Sequence, residues 1–441
     1  TNKTKDVRFR IETLKKLKTI LKENEKDLYN SIYSDFKKSE FETYMSELAL
    51  IYNELNDAIS NLKKWSKQKR VRTNFVNLPS KSYIIPEPLG TVLVISAWNY
   101  PYLISLIPAI SAIAAGNTVV VKPSEITINC SNIISKLINT NFPEKYFTVI
   151  EGGVDTTTEL LKEKWDKIFF TGSSTVGKII YKASADKLTP VTLELGGKSP
   201  TFVLNDCNIN MTAKRIVWAK FFNAGQTCIA PDYILVEKKI KQKLLEALKK
   251  EIKNNYLNTD TVNENYVQII NERHFQRLTN LIPTDRIYIG GEYSIEERII
   301  HPTVLHNINF EDDIMKDEIF GPILPIISFD NLDEAIANIK KKDKPLSLYI
   351  YSNDKKRIRK LLNEISFGGG AINDSLVHLL NPNLPFGGVG ASGIGSYHSK
   401  AGFDTFTHYK SILHKSFLFE PSIKYKPYTK LKKKILKFIL E

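Results

Sequence analysis

The sequence predicts an α/β fold: a doubly wound, Rossmann-like unit with a parallel sheet, followed by a second α/β unit. Two observations carry this expectation. Short β-rich runs recur with helical stretches between them: TVLVIS (91–96), NTVVVKP (117–123), FTVIEG (147–152) and KIFFTG (167–172), then TFVLN (201–205), YILVE (233–237), ILPIISF (323–329) and SLYIYS (347–352). The runs are continuously apolar, as expected of strands covered on both faces by crossover helices. Length and composition agree. At 441 residues the chain exceeds one comfortable domain, and 42% hydrophobic with 25% charged residues suits a sizeable core.

The elements follow in order. Residues 5–69 are rich in Lys and Glu, with apolar positions at helical spacing: Ile11, Leu14, Leu17 and Leu21, then Leu48, Ile51, Leu55, Ile59 and Leu62. Several amphipathic helices are expected. Over 71–88 the pattern turns extended, and Pro79, Pro86 and Pro88 discourage helix, so a connecting arm or edge strand fits. The apolar run Leu103–Ala115 is broken by Ser105, Pro108 and Ser111 and falls short of the ~18 residues of a membrane span. It reads as a buried helix. The glycine-rich block 367–402 has too little periodicity for helix or strand and reads as a long, ordered, functional loop system. Over 425–440 the segment is basic and amphipathic. A solvated terminal helix is the favoured reading, with peripheral contact to a membrane surface or a partner as the alternative.

Composition narrows the function classes. Three cysteines (Cys130, Cys207, Cys228) cannot all pair, and none has zinc-ligand spacing, so a reducing, cytoplasmic setting without disulfides or metal is expected. No signal peptide is visible, although the chain starts at Thr1 without methionine. The formal charge of +14 invites a nucleic-acid reading, but nine Lys and two Glu from Lys410 onward supply half of it. No stretch interleaves aromatic and basic residues as a stacking platform would, so no nucleic-acid partner is expected.

Four segments can carry chemistry. In FFNAGQTCIAP (221–231), Cys228 follows Gly225-Gln226-Thr227 and precedes a strand, so backbone amides can surround it. A reactive thiolate needs an electropositive, partly open niche, whereas a free cysteine taken alone is more often a small buried hydrophobe. In LELGGKSP (193–200), Glu194 precedes a Gly-Gly pair. A carboxyl in a semi-apolar cleft can act as a base of raised pKa, though an isolated Glu is more often salt-bridged at a strand end. In SAWNYP (96–101), Asn99 can donate to a developing oxyanion or can simply be a turn residue. GSSTVGK (172–178) opens a helix after a strand, where a dinucleotide phosphate can sit. It is neither GxGxxG nor a complete P-loop, because Ser174 stands at the second glycine position and Ile179 follows Lys178. VKPSE (121–125) offers Lys122 and Glu125 to ribose hydroxyls or, for Lys122, to a 2′-phosphate.

Taken together these segments are specific. WNYP, KPSE, FTGSSTVGK, LELGGKSP, the GQTC segment, EIFGP and LPFGGVGASG stand in the chain order of the aldehyde dehydrogenase superfamily, over about residues 84–408. The segment 373–408, with YHSKAGF at its end, resembles the short class 3 branch, whose members handle fatty and aromatic aldehydes. Where that branch commonly has YHGKxGF, Ser399 replaces a glycine. The resemblance implies oxidation of aldehydes to acids, with Cys228 as nucleophile, Asn99 and the Cys228 amide as oxyanion donors, and Glu194 activating water on the thioester. It implies NAD or NADP, with NAD slightly ahead. Lys122 and Glu125 would meet the adenosine ribose, Gly172, Ser173 and Val176 the pyrophosphate, and Glu318 and Phe320 the nicotinamide ribose. Trp98, Ser124, Leu195 and Gly196 would be further cofactor contacts. An acylating relative passing the thioester to coenzyme A is disfavoured, since it has no need of Glu194. The implied organisation is a cofactor domain (1–70 and 89–193), a catalytic domain (194–386), and an oligomerisation arm and tail (71–88 and 400–441). A homodimer is expected.

Overall fold

The structure, a computed structural model, describes residues 2–258, 261–262 and 265–441. Its first sheet runs in the order Gly393–Ile394, Val191–Glu194, Lys167–Thr171, Thr91–Ile95, Thr118–Lys122, Phe147–Val149. All neighbours are parallel except the Gly393–Ile394 edge, which pairs antiparallel with Val191–Glu194. Val92, Leu93 and Val94 are fully buried, and every residue of the helix Leu103–Ala115 is buried as well. Both faces of this sheet are thus covered, which is why its strands read as unbroken apolar runs. Helices Val7–Glu23 and Ala49–Trp65, with the π-helical turn Tyr44–Leu48 before the second, bury Leu14, Leu17, Leu21, Leu48, Ile51, Leu55 and Leu62 of the predicted stripe, while Ile11 and Ile59 are half-buried.

A second sheet runs Ile287–Ile289, Thr303–Leu305, Ile323–Phe329, Tyr233–Glu237, Pro200–Val203, Ser347–Tyr351, Gly369–Ile372, parallel throughout except at its first pair. Glu194 ends a strand of the first sheet and Pro200 begins one of the second. The carboxyl ends of one sheet therefore face the amino ends of the other across residues 195–199. Loops that leave the first sheet and loops that enter the second meet at this seam.

The arm is an antiparallel sheet of Lys69–Val71, Ser80–Pro88 and Thr407–Lys415, with a continuous register from Pro88 opposite Thr407 to Ser80 opposite Lys415. Its C-terminal strand starts at Thr407; the helix Ser399–Thr405 before it packs on Leu103–Ala115 and Ala49–Trp65 of the first unit. The glycine-rich block is more ordered than its composition predicts. It holds the strand Gly369–Ile372, paired with Ser347–Ile350, because tertiary pairing outweighs the poor β-propensity of glycine. The tail ends in the helix Lys430–Leu440, capped by Thr429, with none of its residues buried. No described helix is long and apolar enough to cross a membrane.

Candidate active site

The strand Thr91–Ile95 delivers Asn99 to the seam. The carboxamide is almost buried (4% exposed), and its Nδ2 donates to the Gln226 carbonyl at 3.2 Å. In return the Asn223 Nδ2 donates to the Asn99 carbonyl at 3.1 Å and to Gln226 at 3.0 Å. Asn99 is thereby tied to the loop that carries Cys228.

That loop begins with three consecutive left-handed residues: Asn223 (φ 53°), Ala224 (φ 49°) and Gly225 (φ 71°). The conformation costs roughly 1–2 kcal/mol at a non-glycine residue and persists only where the surroundings over-determine it. Here Glu42 Oε1 accepts the Asn223 amide at 2.7 Å, and the Gln226 side chain bonds Asn223, Gln268 and Ile270. Gly225 is required on a second count, since a Cβ there would lie 2.3 Å from the Gly321 carbonyl oxygen. Gly225→Ala should therefore displace the Cys228 loop. A fall in melting temperature together with at least about tenfold lower activity is expected, consistent with the penalty for small misplacements near a reacting centre.

Cys228 is half-buried at the end of this turn. Burial pushes its thiol up to about 12, with Glu318 and then Glu194 adding to the shift and the amides of Cys228 and Ile229 opposing it. Among the described residues the charged groups that weigh most on the thiol are carboxyls and not the cations expected around a reactive thiolate. Alkylation of Cys228 by iodoacetamide in the cofactor-free protein should accordingly be slow at pH 7.5 and climb about tenfold per pH unit from 8 to 10. A rate that levels off below pH 9 would contradict the raised thiol.

Glu194 is 3% exposed, and neither carboxylate oxygen has a hydrogen-bond partner among the described residues. Burial alone raises its pKa well above the ordinary carboxylate range. Glu318 is pushed up to about 8, mainly by burial and then by Asp232, while the Gly197 amide, Lys198 and Lys220 pull it down. It rests against Gly196, where a Cβ would stand 1.9 Å from its Oε2, so only glycine permits this approach. Phe320 sets its ring edge-on to Trp98 at 5.4 Å, and Trp98 also meets His274 at 5.3 Å.

Along the carboxyl edge of the first sheet lie the remaining predicted residues. Lys122 Nζ pairs with Glu125 Oε2 at 2.6 Å; the lysine side chain is 4% exposed and the glutamate 45%. Ser124 is buried, and its Oγ accepts the Ile126 amide. Gly172 donates its amide to the Glu194 carbonyl at 3.0 Å. Ser173 caps the helix Ser174–Ala185 by accepting the Val176 amide, with Val176 exposed at its first turn. Leu195 is buried and bonds the Ser392 carbonyl through its amide. A dinucleotide fits these residues. The capped helix start offers amides to phosphate, the Lys122–Glu125 pair offers a cation and an acceptor to ribose, and the unpartnered Glu194 carboxyl awaits a polar group.

The structure thus brings Cys228, Glu194, Glu318 and Asn99 to one seam with Trp98, Phe320, Leu195 and Gly196, and strings Lys122, Ser124, Glu125, Gly172, Ser173 and Val176 along the adjoining edge. Several residues at the seam were not anticipated. Lys220 is fully buried without a partner for its Nζ among the described residues, and burial lowers it to about 8. Lys38, Glu42 and Glu47 arrive from the N-terminal helices. One signal was available for Glu47, which lies four residues before Ile51 and so on the buried face of the helical pattern.

Residues 2–412 match the model of the aldehyde dehydrogenase family. A 4,4'-diaponeurosporen-aldehyde dehydrogenase of Staphylococcus aureus is 48% identical over 430 residues, covering 97% of this chain and 94% of that protein. The Mus musculus aldehyde dehydrogenase described as dimeric and NADP-preferring is 45% identical over 414 residues, covering 94% and 91%. Among solved structures, Staphylococcus aureus AldH in a substrate-bound state matches with a TM-score of 0.98 at 47% identity, covering 100% of this chain and 96% of that one. The chain belongs to the aldehyde dehydrogenase family. It is an NAD(P)-dependent enzyme that oxidises aldehydes to carboxylic acids.

Proposed function

We propose that this enzyme oxidises medium- to long-chain aliphatic or aromatic aldehydes through a thioester on Cys228. The observation that carries the reading is the convergence of a half-buried thiol, an unpartnered buried carboxyl and a buried carboxamide where the two sheets meet. Cys228 Sγ bonds to the aldehyde carbon to give a thiohemiacetal as its proton passes to the Glu318 carboxylate, which leaves Glu194 free for the later step. Asn99 Nδ2 and the Cys228 amide donate to its oxyanion. NAD(P)+, when held by Glu318, Lys122 and the Ser173 helix start, supplies the acceptor for the hydride whose loss leaves a thioester. Glu194 then takes a proton from water as it attacks, and the acid leaves while the sulfur is reprotonated. Asn99→Ala should lower kcat about 10²–10³-fold with a small change in cofactor affinity, as removal of an oxyanion donor does elsewhere.

A cavity of about 390 Å³ is lined by Leu50, Ile107, Leu379, Leu380 and Pro382 together with Asn53, Glu54, Asn56, Asp57, Ser60 and His398, a mixed lining that favours neither aliphatic nor polar substrates. The His378 ring stands 6.0 Å from that of Tyr349, whose hydroxyl donates to the Ile229 carbonyl beside Cys228. Use of NAD ahead of NADP is supported by the Lys122–Glu125 pair, since Glu125 can accept from a ribose hydroxyl and repels a 2′-phosphate. Glu125→Gln should shift the ratio of kcat/KM values at least about fivefold toward NADP, a change of roughly 1 kcal/mol. An unchanged ratio would remove Glu125 from cofactor choice.

The same reading includes a homodimer built on the arm sheet, supported by the dimeric mouse relative. The cofactor domain comprises 1–70 and 89–193, the catalytic domain 194–386, and the arm and tail the remainder beyond 400 with 71–88. A cytoplasmic location suits three free cysteines. Peripheral contact of the Lys430–Leu440 helix with a membrane surface is supported by its exposed Leu431, Ile435 and Phe438 beside five lysines. The test of the enzymatic reading is reduction of NAD or NADP by the purified protein against aldehydes from short aliphatic through long-chain to aromatic. Reduction that rises with chain length or aromaticity and needs no coenzyme A supports it. A dependence on coenzyme A, or preference for the shortest aldehydes, overturns it.

A further inference from the structure

Residues 38–47 leave the N-terminal helices and run to the centre of the molecule, where they touch both walls of the seam. Lys38 and Glu47 have fully buried side chains and pair at 3.0 Å. The other Glu47 oxygen accepts the amides of Tyr102 at 2.8 Å and Leu103 at 3.1 Å, at the start of the helix Leu103–Ala115. These amides have no acceptor within the helix, and a carboxylate there also suits the positive end of the helix dipole. The Lys38 ammonium lies 4.2 Å over the ring of Tyr100, the residue after Asn99, and the Tyr100 hydroxyl bonds the Thr227 hydroxyl beside Cys228. On the opposite wall, Glu42 holds the Asn223 amide and with it the left-handed turn before Cys228. Glu47 lies within a π-helical turn, Tyr44–Leu48, a distortion of the kind often found at functional sites.

A buried ion pair is weak evidence for stability, because desolvation offsets most of its attraction. What this one supplies is position. Without Glu47 the Tyr102 and Leu103 amides lose their acceptor three and four residues from Asn99; without Glu42 the strained turn loses one of its fixed points. We propose that Glu47 and Glu42 are positioning residues that set the separation between the Asn99 carboxamide and the Cys228 amide. The proposal rests on the oxyanion role given above to those two donors.

The test is a double-mutant cycle on the purified enzyme, with kcat, KM, cofactor affinity and melting temperature measured for every variant. In Glu47→Gln only one oxygen remains, so either Lys38 or the two backbone amides lose their acceptor. Its kcat is expected to fall about 10–100-fold, as misplacement by a fraction of an ångström does, with KM and cofactor affinity within about threefold. The loss should be non-additive with Asn99→Ala, the double variant being no slower than Asn99→Ala alone. Glu42→Met, which removes the acceptor at nearly constant volume, should behave likewise, and Glu42→Gln, which keeps an acceptor, should restore most of the activity. Losses that add fully to that of Asn99→Ala, or a kcat within twofold of the parent in both Glu47→Gln and Glu42→Met, would overturn the proposal. If Glu47→Gln does not fold, the Glu42 pair decides alone. Should Asn99→Ala itself be fully active, the oxyanion reading fails first, and the cycle shows that separately.

Discussion

Cys228→Ala is expected to lower kcat by at least about 10⁴-fold while the affinity for NAD or NADP stays within about threefold. The separation of the two effects follows from geometry. The cofactor residues Lys122, Glu125 and Ser173 lie along the carboxyl edge of the first sheet, whereas Cys228 comes from the loop entering the second. Loss of the thiol removes the covalent route to the acid, because the thioester on which Glu194-activated water acts can no longer form. Steady-state kinetics and fluorescence titration of cofactor read the two quantities. Appreciable oxidation by the variant, or a parallel collapse of cofactor binding, would contradict the assignment.

Glu194→Gln should leave the first turnover largely intact and slow the later ones about 10²–10⁴-fold, the contribution typical of a positioned base. Rapid-quench or stopped-flow traces should show a burst of reduced cofactor close to one per site, followed by a slow phase. In the native enzyme turnover should rise with pH as Glu194 loses its proton, across a range above the ordinary carboxylate values, since burial holds its pKa up. The sign for stability is opposite. The folded protein prefers the acid form, so the stability contributed by Glu194 is fully present below the unfolded value near 4.5 and is lost as pH rises through the raised folded value. Glu194→Gln lacks this loss and should melt above the native protein by a margin that widens with pH, by up to about 1.4 kcal/mol per unit. A margin that is constant from pH 5 to 9 would mean the carboxyl is solvated, and with it the proposed role would fall.

Much of this site was legible in the sequence, though one residue at a time it was not. Cys228, Glu194 and Asn99 each had a bland reading; their segments became specific only in combination and in order. The strands that deliver them were legible because burial on both faces leaves continuous apolar runs such as Val92–Val94. What stayed hidden is non-local. That Glu318 would press against Gly196 and help turn the thiol's surroundings acidic depends on two loops far apart in the chain. Lys38, Glu42 and Glu47 escaped because charged residues are ordinarily solvated, even where spacing puts Glu47 on the buried face, whereas here a buried pair and backbone amides compensate them. The strand Gly369–Ile372 escaped for the converse reason, its pairing being supplied by the neighbouring strand and not by its own propensity.

The thioester itself is the most direct object of measurement. Glu194→Gln enzyme mixed with NAD and a long-chain or aromatic aldehyde, quenched in acid within the burst and digested, can be read by peptide mass spectrometry. The account predicts an acyl group, of the mass of the aldehyde less one hydrogen atom, on the peptide bearing Cys228 and on neither Cys130 nor Cys207. An unmodified Cys228 at the height of the burst, or acylation at another residue, would contradict it.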